Sequence, residues 1–312
     1  MIAMAKISPS SLEVGKLFSE KWWDHFPDIF QDLAEKIKDR SYVVKCEPTQ
    51  VNRAVLACEY VTQTVPKGGR VLDMACGMGF NGVHLATQGY QVEGFDLSDK
   101  AIERANELSQ RLGHSLEMFV LADESYIFDL PDESFDAVLA MGFFRYLAPE
   151  SQETCYRHVH RILKPKGKFL LTHQNMLFEM FALNDGTLRF WADVIEGYSD
   201  VSGLLGGKSV YEALKESITV PERKYASHSI SRHMPVQSEN PLTYGEVAAS
   251  KGFRLEKICF PFSHLLPPWM ESQVDQEKLS DFKRKVCLER AEAGDWRAMF
   301  MEYEFLAFLE KA

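Results

Sequence analysis

The sequence predicts an α/β protein built on a doubly wound, mostly parallel sheet of seven strands. Short apolar runs alternate with helical patterns from residue 70 onward, as expected when helices cover both faces of a parallel sheet. A glycine-rich turn follows the first of these runs, which is typical of the first strand-to-helix connection in such sheets.

We expect a single domain, 1–312, with four parts. Residues 1–65 form an N-terminal helical cover, and 66–174 form the binding core that contains the glycine-rich turn. Residues 175–240 break the alternation and are predicted to be a helical insertion after strand five. Residues 241–312 complete the sheet.

The elements before the core are helical. Apolar residues spaced by three and four over residues 10–40 predict an amphipathic helix, interrupted near Pro27. A second helix is predicted over 48–63, and the segment PKGG at 66–69 is a turn.

The core alternates strands and helices. Ser98 is a suitable N-cap for the helix after the second strand, and Gly113 ends that helix. Another helix runs from Pro149 to about Leu163, and KPKG at 164–167 is a turn. The predicted core strands are 70–75, 91–97, 115–123, 135–142 and 168–174. Beyond the insertion we expect a helix over 242–252, a strand over 253–260 and a last strand within 300–309.

Charge and composition exclude several classes of protein. The net charge is −10, from 45 acidic and 35 basic residues, which disfavours a nucleic-acid partner. Six scattered cysteines without a C-x-x-C pair predict no metal site and no disulfide framework, and they favour reduced thiols in the cytoplasm. Neither a signal peptide nor a membrane span is expected, and a homodimer is left open.

The loop after the first strand reads VLDMACGMGFNG and raises a question about its ligand. Gly77, Gly79 and Gly82 fit the pattern G-x-G-x-x-G, which is typical of a dinucleotide site. Asp73, however, would repel a pyrophosphate and would suit a ligand that carries an ammonium or sulfonium group. S-adenosylmethionine carries both.

Two further acids end the next two strands. Asp96, seventeen residues after Gly79, can accept both ribose hydroxyls, which holds for NAD as well as for S-adenosylmethionine. Asp123 can accept a hydrogen bond from an adenine amino group. Because parallel strands end at one edge of the sheet, we expect the three acids to lie along that edge.

Several motifs in order resemble those of class I S-adenosylmethionine-dependent methyltransferases, which have a Rossmann-like fold. They are VLDMACGMG, VEGFDLSDKAIERA, LADESYIFDLPDESFDAVLAM and RHVHRILKPKGKFLLT. The resemblance covers about residues 50–174 closely and 240–310 only in pattern. Two positions depart from the family: Cys76 stands where glycine is more frequent, and Phe144-Arg145 stands where many members have a histidine.

The resemblance implies a role for each matched residue. Asp73 and the backbone at Ala75, Gly77 and Gly79 would hold the methionine part of the cofactor. Asp96 and Leu97 would flank the ribose and adenine. The remaining implied contacts are Asp123 and Glu124 at the adenine edge and Met141 near the methionine part or the sulfur.

The acceptor side is predicted from histidines and aromatic residues. His173 near the end of strand five is the best placed general base, ahead of His228 and His233 in the insertion. Aromatic side chains of the N-terminal helix and the insertion would form a lid that favours an apolar or ring-containing acceptor. The predicted acceptor contacts are Trp22, Arg145, Tyr146, Trp191, His228 and His233.

Taken together, the sequence predicts a methyltransferase that acts on an oxygen or nitrogen atom of a small molecule, without a metal. No [DN]-P-P-[YFW] clamp follows strand four, and no acidic constellation for magnesium is visible. The alternatives are a protein or glycan methyltransferase, a non-catalytic protein that binds the cofactor, and an NAD-type oxidoreductase that rests on the glycine pattern alone.

Overall fold

The computed structural model describes residues 9–23, 49–114, 118–196, 202–222, 234, 236–260, 264–279 and 296–312. The chain forms two compact units. The first, here called the sheet unit, comprises 1–174, 227–262 and 304–312. The second, the helical unit, comprises 175–226 and 263–303. Residues 263–303 therefore belong with the insertion, whereas the sequence places them with the sheet.

The sheet has the predicted doubly wound topology. Seven strands follow the order β3-β2-β1-β4-β5-β8-β7, and a short strand, β6, pairs with β5. Strands β1 to β5 pair in parallel, and β8 runs antiparallel to both of its neighbours. The strands are β1 Arg70–Met74, β2 Gln91–Asp96, β3 Phe119–Leu121, β4 Phe135–Ala140, β5 Leu163–Asn175, β6 Ser238–Glu239, β7 Phe253–Cys259 and β8 Glu304–Lys311.

Helices flank the sheet and make up most of the helical unit. Short 3-10 turns span Glu124–Phe128, Phe144–Tyr146 and Ser202–Leu205, and a π-helical turn spans Ser19–Trp23. The α-helices are α1 Pro9–Phe18, α2 Thr49–Thr64, α3 Phe80–Thr87, α4 Asp99–Arg111, α5 Pro149–Ile162, α6 Phe178–Ala182, α7 Asp185–Glu196, α8 Val210–Ser217, α9 Tyr244–Ser250, α10 Pro268–Glu271 and α11 Ala298–Met301.

The predicted ends of α4 are confirmed. The Ser98 hydroxyl accepts a hydrogen bond from the Ala101 N–H at 3.2 Å, which satisfies one of the free donors of the first turn. Gly113 follows the last turn with a φ of 81°, a backbone conformation that favours glycine.

Two core strands differ from their predicted bounds. Strand β5 begins at Leu163, so the expected turn at 164–167 lies inside it as an irregularity: Lys166 has a φ of 61°, and the register against β4 shifts between Phe135 and Ala137. Strand β3 is limited to three residues, and 115–117 lie outside the described part of the chain, as do 24–48 around Pro27.

Apolar side chains cover both faces of the sheet. In β1, Val71 and Leu72 are both fully buried but belong to different core clusters, because successive side chains of a strand point to opposite faces. One cluster includes Tyr156 of α5, and the other includes Val61 of α2. With both faces covered, the carboxyl edge of the strands is the place for a ligand.

Candidate functional site

The loop between β1 and α3 is built from residues in the left-handed region. Ala75, Gly77 and Gly79 have φ values of 52°, 54° and 76°. A β-carbon at Gly79 would lie 2.9 Å from the Ala105 β-carbon and 2.9 Å from the Phe119 ring. Glycine is therefore required at 79 both by its backbone conformation and by close packing.

Asp96 at the end of β2 holds this loop. Its Oδ2 accepts the Gly77 N–H at 2.9 Å, and its Oδ1 accepts the Ser98 N–H at 2.9 Å. Burial raises the pKa of Asp96, and these backbone hydrogen bonds act in the opposite direction. The residue is half-buried, and each oxygen keeps a second lone pair, so the carboxylate can still accept hydroxyl groups of a ligand.

Asp73 lies beneath the loop and has no exposed surface. Its Oδ2 accepts the Gly82 N–H in the first turn of α3 at 3.1 Å, while its Oδ1 has no hydrogen-bond partner among the described residues. Burial raises the pKa of Asp73 to about 7, against the lowering effects of the Gly82 N–H and the Asn81 side chain. The structure therefore places Asp73 as a brace under the loop, whereas the sequence argument expected a carboxylate exposed to the ligand.

The end of β3 lies beside the end of β2. The Ala122 N–H donates to the Asp96 carbonyl at 3.0 Å, and Asp123 caps the following 3-10 turn by accepting the Ser125 N–H at 3.0 Å. Asp123 is buried and Glu124 is half-buried. Asp73, Asp96 and Asp123 thus follow one another on three neighbouring strand ends, as predicted from their positions in the sequence.

The N-terminal helix α1 packs over the residues that follow β2. A β-carbon at Gly15 would lie only 2.2 Å from the Leu97 carbonyl oxygen, so the two backbones touch. The Ser19 and Ser98 hydroxyls are 2.7 Å apart, and Ser19 also donates to Asp99 at 2.9 Å. These contacts cover the strand end where the resemblance places the adenosine.

A charged cluster lies at the carboxyl ends of β4 and β5. Arg145 is buried and binds Glu304 through Nη1 and the Gln174 Oε1 through Nη2, the latter at 3.2 Å. Arg53 of α2 binds the other oxygen of the same carboxylate at 2.8 Å. These two arginines outweigh the burial of Glu304 and lower its pKa.

Arg53 and Glu304 escape sequence analysis because they are 251 residues apart and match no motif. The available signal was the position of Arg53 on α2. It lies four residues before Ala57 and eight before Val61, and both of those residues are fully buried. A charged residue on such a stripe is an exception that calls for a partner.

His173 lies in the core. It is 1% exposed, and its Nε2 is 2.9 Å from the Tyr244 hydroxyl and 3.3 Å from the Tyr156 hydroxyl. Burial lowers its pKa to about 3, and the rings of Phe144 and Phe305 lie beside it. Without a path to solvent, this histidine is poorly placed to accept a proton from an acceptor, which argues against the predicted role as general base.

The other predicted acceptor contacts are distributed over the chain. Tyr146 is half-buried beside Phe18, with ring centroids 5.2 Å apart, and Met141 is 8% exposed after β4. Trp191 belongs to the helical unit, where it is 39% exposed and packs edge-on against Phe190. The side chain of Trp22, and His228 and His233 altogether, lie outside the described part of the structure.

The described ranges contain neither a candidate membrane span nor a candidate metal cluster. None of the helices there is both long and apolar enough to cross a bilayer. The same part of the chain holds no group of three or more histidine, cysteine, aspartate or glutamate side chains arranged to bind a metal.

Comparison with known proteins agrees with this geometry. A family model described as a methyltransferase domain matches residues 71–167, from β1 to the start of β5. A putative methyltransferase of Bacillus subtilis is 26% identical over 226 residues, which are 67% of this chain and 83% of that protein. These matches support the resemblance of this chain to class I S-adenosylmethionine-dependent methyltransferases, which residues 71–167 carry most directly.

Solved methyltransferase structures have the same fold. A Burkholderia thailandensis 1,6-didemethyltoxoflavin-N1-methyltransferase matches with a TM-score of 0.52 and 15% identity, covering 100% of this chain and 93% of that one. A magnesium protoporphyrin IX methyltransferase from Synechocystis, with bound S-adenosylhomocysteine, matches with a TM-score of 0.51 and 13% identity, covering 97% and 99% of the two chains. Several other methyltransferases are matched over 28% to 50% of their own length.

The cofactor of this methyltransferase is S-adenosylmethionine, and the residues present fit it. A loop with left-handed residues at Ala75, Gly77 and Gly79 follows β1, and a half-buried carboxylate stands at the end of β2. Beneath the loop, Asp73 Oδ1 lacks a hydrogen-bond partner in the described part of the protein, which is an orphaned buried polar atom at the place where the resemblance puts the methionine part.

Proposed function

We propose that this methyltransferase transfers the methyl group of S-adenosylmethionine to an oxygen or nitrogen atom of a small-molecule acceptor by in-line displacement. The observation that carries this proposal is the row of three carboxylates, Asp73, Asp96 and Asp123, around a left-handed loop at one edge of the sheet. This row matches the charge and the hydrogen-bonding groups of the cofactor.

We assign the residues as follows. Asp96 holds the ribose hydroxyls, and Leu97 flanks the ribose and adenine, with Asp123 and Glu124 at the adenine edge. The backbone at Ala75, Gly77 and Gly79 holds the methionine part. Asp73 stabilises the loop from below and contributes negative charge, and Met141 lies near the sulfur.

The chemistry asks mainly for alignment. The bound cofactor supplies a methyl group that is activated by a positively charged sulfur, so the protein has to hold an acceptor atom in line with that bond. Such positioning lowers a barrier by about 7–11 kcal/mol. An amine acceptor needs only to be neutral, and we propose that His173 has a structural role because it is sealed in the core.

The acceptor side rests on fewer observations. Arg145 and Tyr146 lie in the 3-10 turn Phe144–Tyr146, a few residues after β4, and the half-buried Tyr146 supports their assignment to acceptor binding. The assignments of Trp22, Trp191, His228 and His233 stay predictions. The matched Burkholderia thailandensis enzyme is by its name a 1,6-didemethyltoxoflavin-N1-methyltransferase, and this supports a small-molecule acceptor.

A cytoplasmic location is also a proposal. Cys58, Cys76, Cys155 and Cys259 are free thiols, which supports a reducing compartment. The dimer stays a prediction.

The test combines binding and turnover. We expect calorimetry to show S-adenosylhomocysteine binding to the wild type and markedly weaker binding to Asp96→Asn, with Asp193→Asn on the exposed face of α7 as the matched control. A screen of small-molecule, peptide and glycan acceptors, scored by S-adenosylhomocysteine release, then identifies the acceptor class. Binding without turnover on any acceptor would favour a non-catalytic protein, and turnover on peptides or glycans alone would contradict the small-molecule assignment.

A further inference from the structure

The guanidinium of Arg53 lies at the cofactor edge of the sheet. A β-carbon placed on Gly142 would be 3.1 Å from Arg53 Nη2 and 3.3 Å from Nη1. Gly142 comes two residues after β4, and its N–H donates to the Thr172 hydroxyl of β5 at 2.7 Å. Arg53 therefore reaches the ends of β4 and β5, next to the strand that carries the glycine loop.

Within the described ranges, the hydrogen bonds of Arg53 use only a part of its donor capacity. Among the residues that the structure describes, its one acceptor is Glu304, bound through Nη1 at 2.8 Å. A guanidinium has five N–H donors in a planar fork, and none of the described residues accepts a hydrogen bond from Nη2 or Nε of Arg53. The side chain is 15% exposed, compared with 5% for Glu304, which leaves Arg53 open to a ligand from one side.

Glu304 holds Arg53 in place but does not fully neutralise its positive charge. The carboxylate also binds Arg145, which is 5% exposed, so its charge is shared between two guanidinium groups. Glu304 is further held by the pairing of β8 with β5, where it stands opposite Gln174. The result is a fixed, partly desolvated cation with a free edge, which is the arrangement that binds planar anions in two-point geometry.

We propose that Arg53 binds a carboxylate of the bound ligand, with Glu304 as its positioning residue. Two ligands of the proposed reaction can carry this group: the methionine part of the cofactor and an acidic acceptor. The proposal rests on the proposed methyltransferase function. Gly142 belongs to the same site, because any larger residue would push against the guanidinium.

The test compares two adenosine thioethers, S-adenosylhomocysteine and 5′-methylthioadenosine, of which only the first has a carboxylate. For Arg53→Gln we expect S-adenosylhomocysteine affinity to fall roughly tenfold to hundredfold, since charged hydrogen bonds are lost. Affinity for 5′-methylthioadenosine should stay within twofold of the wild type. Arg53→Lys should recover part of the loss, and Arg189→Gln, at an exposed arginine of α7, is the matched control.

A second arm detects an acidic acceptor. Each acceptor active in the screen is compared as the carboxylic acid and as its amide. If Arg53→Gln binds S-adenosylhomocysteine normally but raises the KM of the acid more than that of the amide, the carboxylate comes from the acceptor. Melting curves confirm that the variants are folded.

Two outcomes would overturn the proposal. The first is a folded Arg53→Gln protein that binds S-adenosylhomocysteine with normal affinity and has unchanged KM values for the acid and amide acceptors. This result would refute the role of Arg53 but not the methyltransferase function. Equal losses for both thioethers would also refute this role, because the effect would then not depend on a carboxylate. Failure of the wild type to bind either thioether would instead count against the methyltransferase function itself.

Discussion

The Asp96 carboxylate is bonded to the glycine loop: its Oδ2 lies 2.9 Å from the Gly77 nitrogen. The end of β2 thereby fixes the loop that follows β1, before any ligand is bound. The second oxygen accepts the Ser98 N–H, so the carboxylate cannot rotate without losing a bond. The group assigned to the ribose is therefore also a part of the architecture of the loop.

Replacing Asp96 by asparagine should lower both cofactor affinity and stability. The asparagine amide has only one acceptor oxygen, so its NH₂ group would face either the Gly77 N–H or the Ser98 N–H. Two hydrogen-bond donors would then point at each other, and one hydrogen bond would be lost. We expect destabilisation by roughly 1–3 kcal/mol and at least tenfold weaker S-adenosylhomocysteine binding. Urea unfolding and calorimetry measure the two effects. Weaker binding with unchanged stability would show that the loop does not depend on this bond.

The local part of this arrangement is predictable from sequence. Strands β1, β2 and β4 carry short apolar runs, and Ser98 and Gly113 mark the ends of α4. The order of the three acids on neighbouring strands follows from the rule that parallel strands end at a common edge, whereas the burial of Asp73 does not follow from it. Each of these inferences depends on residues within one element or on a rule of sheet topology.

Long-range contacts account for what sequence reasoning missed. The Arg53–Glu304 pair joins α2 to β8 across almost the whole chain, and neither residue belongs to a motif. His173 looked accessible because it is close to the end of β5, but nine consecutive residues of that strand are buried on both faces. Period-2 alternation then gives no clue to which side chain faces the ligand.

Asp73 should make stability fall with rising pH. Its folded pKa is about 7, above the ordinary value of 3.8, so the folded state holds a proton that the unfolded state has released between these values. Stability is therefore lost as pH rises from about 4 to 7, by roughly 2–4 kcal/mol in all. Asp73→Asn removes this term and should be more stable than the wild type at pH 8.

The comparison is made by urea unfolding of both proteins at pH 5 and pH 8, without ligand. The unfolding free energy of Asp73→Asn should rise relative to that of the wild type between pH 5 and pH 8. All other titrating groups are common to both proteins, so this relative change reports Asp73. Parallel pH dependences in the two proteins would show that Asp73 titrates normally in the folded state.

Gly15 should control the contact between α1 and the end of β2. Valine at this position would place its β-carbon 2.2 Å from the Leu97 carbonyl oxygen, so α1 would have to move away. We expect Gly15→Val to expose Lys16 and Lys21 to trypsin at least tenfold faster than in the wild type. Dissociation of S-adenosylhomocysteine should accelerate, since α1 covers Leu97.

Leu12→Ala is the control, because Leu12 lies on the same helix and is 51% exposed. It should leave both rates unchanged. Wild-type proteolysis and dissociation rates in Gly15→Val would mean that α1 does not depend on this backbone contact.

His173→Gln tests whether the buried histidine is structural. The variant removes the hydrogen bond at 2.9 Å to Tyr244 and leaves polar groups in an apolar core, so we expect destabilisation by roughly 1–3 kcal/mol at pH 7.5. Because the folded pKa is about 3, below the ordinary value of 6.5, the unfolded state binds a proton first as pH falls. The wild type loses this stability below pH 6.5, so its advantage over the variant should shrink by roughly 2 kcal/mol at pH 5.

Kinetics separate this role from catalysis. A general base contributes about 10²–10⁴ in rate, so its loss would collapse kcat in the folded variant and remove a limb of the pH–rate profile. A structural histidine predicts kcat within twofold of the wild type once the folded fraction is matched, with a lower melting temperature. The Tyr156 and Tyr244 hydroxyl oxygens are also hydrogen-bonded, at 2.8 Å. Tyr244→Phe removes a hydroxyl from this buried group, so it should reproduce the stability loss and leave kcat unchanged. A large fall in kcat for His173→Gln alone would restore the histidine as the base.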